Sequence, residues 1–168
     1  MLELGFGPGH LQSAIRVQGC QPFGMDGSIQ MARQANHRIH KKGSIPALIN
    51  GYAQYLPFAG QIFNSVVATF PSEFIFDNRT LQEAKRVMVP GGKLVIVPMA
   101  WLVGVFSQQQ GSIWVHHLFQ GENRVPGLSL ASLADRFSSL GFRVDTKLVS
   151  VKGSRVLVLI ATLGQDST

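Results

Sequence analysis

The stretch from Leu2 to His10, L-E-L-G-F-G-P-G-H, constrains the fold of this chain more than any other. A short apolar run is followed at once by three alternating glycines, Gly5, Gly7 and Gly9. Leu11, Ala14 and Ile15 come next, at the i, i+3, i+4 spacing of one helical face. The pattern predicts a strand, a glycine turn and a helix N-terminus, with Pro8 suited to the first helical turn. Glycines serve where the backbone takes a positive φ or where a ligand must lie against bare backbone. Such a turn can hold a polar or nucleotide-like ligand on its N–H groups; the alternative is a tight strand–helix connection with no ligand. Glu3 stands out, because a carboxylate in a buried central strand is costly unless something pairs with it.

The turn gains meaning from Asp26, seventeen residues beyond Gly9 and at the end of a second apolar run, Pro22 to Met25. A carboxylate at the C-terminal end of the second strand is placed to accept both ribose hydroxyls of a nucleoside. Four stretches in this order then resemble class I S-adenosylmethionine-dependent methyltransferases. Glu3 to Gly9 resembles that family's E-x-G-x-G-x-G motif, and Gly24 to Met31 its acidic second-strand motif. Leu56 to Phe58 with Phe63 to Ala68 resembles its approach to the fourth strand, and Arg86 to Val97 its L-x-P-G-G-x-L lead into the fifth. The likeness is to the small-molecule branch typified by ubiquinone and menaquinone biosynthesis methyltransferases. It runs from Met1 to about Val97 and returns at the C-terminus.

Taken in order, the pattern predicts a first helix from His10 to Gly19 and a second strand from Pro22 to Asp26. A second helix follows, N-capped by Ser28, with Ile29, Ala32, Ala35 and Ile39 inward. Ala47 to Asn50 reads as strand three and Phe63 to Thr69 as strand four; Val66, Val67 and Ala68 run continuously, as in a strand buried on both faces. Asp77 to Val89 reads as a helix with Leu81, Ala84 and Met88 inward, and Pro90-Gly91-Gly92 turns the chain into strand five, Lys93 to Val97. Residues 99 to 127 interrupt this rhythm and read as an insertion of short helical or irregular pieces over the strand ends. Leu130, Leu133, Ala134, Phe137 and Leu140 then mark an amphipathic helix stopped by Gly141. Phe142 to Val151 and Arg155 to Leu163, joined by three residues, must form an antiparallel hairpin.

With the resemblance, these elements imply one α/β domain over residues 1–168. It is a Rossmann-like three-layer sandwich with a mostly parallel seven-stranded sheet, order 3-2-1-4-5-7-6, closed by the antiparallel hairpin. A nicotinamide-binding fold would run parallel to its end and carry G-x-G-x-x-G; here the spacing is G-x-G-x-G and Glu3 precedes it. In the resembled family, helical segments precede the first strand. Met1 instead opens within that strand, so the sequence predicts an uncovered sheet face of roughly 300–600 Å² and self-association as a symmetric homodimer.

Composition adds limits. A chain of 168 residues, 45% apolar, can bury one sizeable core. No apolar stretch reaches the roughly 18 residues of a bilayer span, and no basic n-region marks a secretory signal. One cysteine, Cys20, allows no internal disulfide and suits a reducing, cytoplasmic setting. The formal net charge of +6 admits an anionic partner such as nucleic acid. A dispersed basic surface is the preferred account, because the densest run, His37 to Lys42 with Arg33 behind it, closes a helix whose negative end it complements.

The resemblance assigns roles position by position. Glu3 and the turn of Gly5, Phe6, Gly7 and Gly9 would hold the methionine part of S-adenosylmethionine and Asp26 the ribose, with Gly27 a further cofactor-binding residue. Met31 would pack near the adenine, Tyr52 and Ala53 would bracket it, and Thr69 and Phe70 would border the sulfonium and a small-molecule acceptor. Two positions depart from the family. Tyr52 stands where an acidic residue usually receives the adenine amino group, and Asn64 stands where Asp is frequent. No catalytic base is evident and no metal set is formed: His116 and His117 are adjacent, without the spacing of a metal pair. His10, at a helix N-terminus, is a contact candidate. Tryptophans and phenylalanines between Met99 and Phe119 suit the wall of an apolar acceptor site or cover for the sheet end. The sequence therefore predicts methyl transfer to a small, apolar acceptor, with a catalytically degenerate binding or assembly module as the alternative.

Overall fold

The computed structural model describes residues 1–102 and 130–164. Its strands are β1 (Leu2–Leu4), β2 (Phe23–Asp26), β3 (Ala47–Asn50), β4 (Phe63–Thr69), β5 (Met88–Leu102), β6 (Phe142–Val151) and β7 (Ser154–Leu163). Its helices are α1 (His10–Val17), α2 (Ile29–Lys41), α3 (Asn78–Val87) and α4 (Leu130–Ser139), with a 3₁₀ turn at Glu73–Phe76. The sheet order is β3-β2-β1-β4-β5-β7-β6. Strands β3, β2, β1, β4 and β5 pair in parallel, and β7 runs antiparallel to both β5 and β6. This is the expected Rossmann-like α/β sandwich. The hairpin turn is tight because Lys152 and Gly153 both take positive φ, 41° and 79°, matching the twist of the strands it joins.

The strand order reverses at β1, which is three residues long and holds β2 on one side and β4 on the other. Right-handed crossovers leaving β1 and β4 in opposite directions put α1–α2 and α3 on opposite faces. Leu2, Leu4, Val66, Ala68, Leu94, Ile96, Leu159 and Ala161 alternate onto the α3–α4 face and form one core with Leu81, Ala84, Val87 and Phe137. On the other face α2 packs on β2 and β3. There Val67, Val95 and Ile160, which pair in register across β4, β5 and β7, are only half-buried. The two-sided burial expected of Val66–Ala68 is therefore one-sided.

Several local expectations are corrected. α1 buries Gln12 and Ser13, whereas Leu11 and Ile15 are half-buried and Ala14 is exposed. The reason is Glu3: its carboxylate is 1% exposed and takes a 2.9 Å hydrogen bond from Gln12 Nε2, so the helix turns its amide toward the sheet. Pro8 lies in the turn ahead of α1, whose N-cap is Gly9. Ile29 points outward from the first turn of α2, 59% exposed, while Ala35 and Ile39 are buried. α3 ends at Val87, and Met88 begins β5. Pro90-Gly91-Gly92 is absorbed into β5 as an irregularity, where Met88 faces Phe63 but Lys93 faces Ser65. Met99–Leu102, expected in the insertion, continue β5 against β7. The rest of that insertion, with His116 and His117, lies outside the described residues. Ala134 of α4 is exposed, while Phe137 stacks edge-on to Phe142 at 5.9 Å.

Candidate functional site

Four consecutive strand ends open on one cleft. Gly5 and Gly7 follow β1, Asp26, Gly27 and Ser28 close β2, Gly51 to Gln54 follow β3, and Phe70 to Ser72 with Phe74 follow β4. The cleft has a volume of about 520 Å³, in the range of small-molecule and cofactor sites. It lies beyond the carboxyl ends of parallel strands where the strand order reverses, the usual binding position in open α/β sheets.

The glycine turn is held from two sides. Gly5 N–H donates to the Met25 carbonyl (2.8 Å), and Gly7 N–H donates to Asp26 Oδ2 (2.8 Å). Gly7 has φ 51°, and a Cβ there would meet no atom within 4 Å, so the turn presents bare backbone to open space. Gly9, at φ 79°, is glycine for a second reason: a Cβ would sit 2.7 Å from that of Ala35, so α2 could not approach. Arg38 Nε reaches across from α2 to the Pro8 carbonyl (2.8 Å), so part of the basic run at the end of α2 fastens the turn.

Asp26 is the hub. Oδ1 accepts the Ser28 N–H (2.8 Å) while Oδ2 accepts that of Gly7, tying the loops after β1 and β2 together. Each carboxylate oxygen has a second lone pair, so the group can still accept ligand hydroxyls. The Asp26 carbonyl in turn accepts from Gly51 N–H (3.0 Å) and Asn50 Nδ2 (2.9 Å), drawing in the loop after β3. Tyr52 stands beside Gly27, its ring 3.4 Å from where a Cβ would lie, and is 70% exposed. On the far side Phe70 is held at φ 48°, an uncommon backbone for a bulky residue, by its N–H bond to the Val97 carbonyl (2.7 Å). Backbone strain of this kind concentrates at ligand sites.

Of the residues singled out from sequence, Gly5, Gly7, Asp26, Gly27, Tyr52, Ala53 and Phe70 line the cleft. Glu3, Phe6, Gly9, Met31 and Thr69 are not among its lining residues. Glu3 lies beneath the turn on Gln12, and burial pushes its carboxyl up to about 7, with the Gln12 hydrogen bond lowering it and the nearby Asp26 charge raising it further. Phe6 is 3% exposed and packs on Gly24. Gly9 caps α1, and Met31 N–H donates to Ser28 Oγ (3.3 Å) in the capping of α2. Thr69 closes β4, and His10 is exposed at the start of α1. Met25, Ser28, Gly51, Gln54, Pro71, Ser72 and Phe74 complete the lining and are not among the ligand contacts expected from sequence. The strand-end positions of Gly51 and Ser28 were a usable signal; the 3₁₀ turn carrying Phe74 is too short to show a periodicity.

A family model described as a methyltransferase domain matches residues 2–96, more than half of the chain. The chain belongs to the methyltransferase-domain family. Over 106 residues it is 32% identical to the demethylmenaquinone methyltransferase of Thermobifida fusca, covering 61% of this chain and 44% of that protein. The chain thus spans less than half the length of this relative. Its fold is shared with an S-adenosylmethionine-dependent methyltransferase from Methanosarcina mazei (TM-score 0.67, 17% identity, 98% of this chain and 92% of that one). It is shared as well with one from Aquifex aeolicus (TM-score 0.62, 17% identity, 96% and 80%). S-adenosylmethionine is the cofactor of this methyltransferase family. The lining fits it: glycine backbone facing open space at Gly7, a carboxylate with spare lone pairs at the end of β2, and a wall of Tyr52 and Ala53 around a cavity of sufficient size.

Proposed function

We propose that this chain takes part in methyl transfer from S-adenosylmethionine to a small, apolar acceptor. The observation that carries the reading is the cleft in which Asp26 joins the glycine turn to the loop that bears Tyr52. When bound, S-adenosylmethionine supplies the reactivity as a methyl group on a positively charged sulfur, so the protein's task is orientation and electrostatics. Gly5 and Gly7 offer backbone to the methionine part, Asp26 accepts the ribose hydroxyls, and Tyr52 and Ala53 flank the adenine. Aligning donor and acceptor is worth about 7–11 kcal/mol of the barrier. Phe70, Pro71 and Phe74 form an apolar edge that excludes water from the acceptor's approach. The acceptor class is supported by that edge and by the similarity to the demethylmenaquinone methyltransferase of Thermobifida fusca.

Among the described lining residues, Asp26 is the only carboxylate and no histidine is present. An acceptor that needs no strong base from these residues suits such a site. The same observation, with Tyr52 in place of an acidic residue, favours the second reading, a methyltransferase-like binding module that does not catalyse. The lone, exposed Cys20 supports a reducing, cytoplasmic setting under either reading. Incubation of the chain with methyl-labelled S-adenosylmethionine and demethylated quinones separates the two. Label in the quinone supports transfer; saturable cofactor binding without turnover supports the binding module.

A further inference from the structure

The loop between β3 and β4 has two halves with different tasks. Gly51 to Gln54 line the cleft, and Leu56 to Ile62 run back along α3. Between the halves sits a carboxylate–guanidinium pair from one turn of α3. Glu83 Oε1 meets Arg86 Nε at 2.6 Å, and Glu83 Oε2 meets Arg86 Nη2 at 2.8 Å, a two-pronged contact. The pair then grips the loop backbone. Glu83 Oε2 accepts the Leu56 N–H (2.7 Å), Arg86 Nη2 donates to the Leu56 carbonyl (2.8 Å), and Arg86 Nη1 donates to the Phe58 carbonyl (2.7 Å). Both polar backbone groups of Leu56 are therefore taken by one ion pair. The Arg86 main-chain carbonyl adds a bond from Gln61 N–H (2.9 Å). Arg86 beside Glu83 holds that carboxyl below the usual range, so the grip is charged at neutral pH.

We propose that Glu83 and Arg86 are positioning residues for cofactor recognition, fixing where Tyr52 and Ala53 stand against the adenine. This rests on the reading that the cleft holds S-adenosylmethionine. Two residues separate Ala53 from Leu56, and Tyr55 N–H donates to the Tyr52 carbonyl (3.0 Å), so a shift at Leu56 reaches Tyr52 through one short turn. An Arg fork matches two carbonyls in a way a point charge cannot. The pair is not what keeps the loop folded. Leu56 is buried in the core, and the Phe58 ring stacks edge-on to Phe63 at 5.1 Å. Loss of the pair should thus relax the loop on its cleft side and leave the domain folded.

The test measures S-adenosylhomocysteine and adenosine binding by calorimetry, and amide exchange at Tyr55 and Leu56 without ligand, in the wild-type chain, Arg86→Ala, Arg86→Lys, Glu83→Ala and Glu83→Gln. Arg86→Ala and Glu83→Ala should weaken both ligands by about tenfold, 1.4 kcal/mol, and speed exchange at Leu56, with thermal unfolding still cooperative. Arg86→Lys should behave like the alanine variant. Glu83→Gln keeps the acceptor for Leu56 N–H and should retain most of the affinity. Unchanged adenosine affinity in folded Arg86→Ala, or unchanged exchange at Leu56, overturns the proposal. A wild-type chain that binds neither ligand overturns the cofactor reading instead, and the exchange measurement still decides whether the pair holds the loop. Should the alanine variants not fold, the contrast between Arg86→Lys and Glu83→Gln carries the same decision.

Discussion

Replacing Glu3 by glutamine should make the protein more stable at pH 8 and change it far less at pH 5. The Glu3 carboxyl is 1% exposed, and its one hydrogen bond among the described contacts comes from Gln12, a neutral donor. Burial, partly offset by that bond and reinforced by Asp26, lifts its pKa from 4.5 to about 7. Below pH 4.5 the group is protonated whether the chain is folded or not, and folding bears no penalty. Between pH 4.5 and about 7 the unfolded chain ionises while the folded one keeps its proton, so stability falls as pH rises. Above 7 the loss is complete. At 1.36 kcal/mol per pH unit, a rise from 4.5 to about 7 corresponds to about 3 kcal/mol. Glutamine keeps an oxygen to accept from Gln12 and has no charge to bury. Urea unfolding of wild type and Glu3→Gln from pH 5 to pH 8 measures the difference, and the variant removes the contribution of the five histidines, which both chains share. A stability gap that widens by about 2.5 kcal/mol between pH 5 and pH 8 is the expected result. Parallel profiles, or a variant less stable at pH 8, would refute the argument that this carboxyl is buried without adequate compensation.

Other consequences follow from the same contacts. Gly9→Ala places a Cβ 2.7 Å from Ala35 at φ 79°, and should cost about 1–3 kcal/mol, read as a Tm lowered by several degrees. Asp77→Ala removes the side chain that accepts the Arg79 and Thr80 N–H groups at the start of α3, and should cost about 1 kcal/mol in urea unfolding, with cofactor affinity intact. We propose that the half-buried Val67, Val95 and Ile160 face makes the 168-residue chain self-associate. Sedimentation across a concentration series should show a monomer–dimer equilibrium that Val67→Lys shifts to monomer, whereas a monodisperse monomer at high concentration would remove that proposal.

The elements that can be read from sequence are those marked by a local apolar run or by the turn residues beside it. β3, β4, β6 and the glycine turn lie where Ala47–Asn50, Phe63–Thr69, Phe142–Val151 and Gly5–Gly9 put them: apolar runs mark β3 and β4, and the short link to β7 makes β6 one arm of a hairpin. The apolar spacing of α1 does not mark its inner face. Leu11, Ala14 and Ile15 gave the stronger periodicity, yet the need to pair Glu3 decided the rotation of the helix in favour of Gln12. That need was visible in Glu3 itself; the identity of its partner was not. Ile29 reads as inward by spacing but belongs to the first turn of a helix lying over β3, the edge strand. Asp26 was legible as a ligand group, while its hold on Gly7 and Ser28 depends on two loops meeting in space. The grip of Glu83 and Arg86 on Leu56, across 27 and 30 residues, leaves no local signal at all.

We propose Asp26 and the glycine turn as the site for S-adenosylmethionine. Isothermal titration of the chain and of Asp26→Ala with S-adenosylhomocysteine tests it most directly. Saturable binding at one site per chain, weakened about tenfold or more in the variant, is the predicted result. No binding by the chain would contradict the assignment, and equal affinity in the two proteins would take Asp26 out of the site.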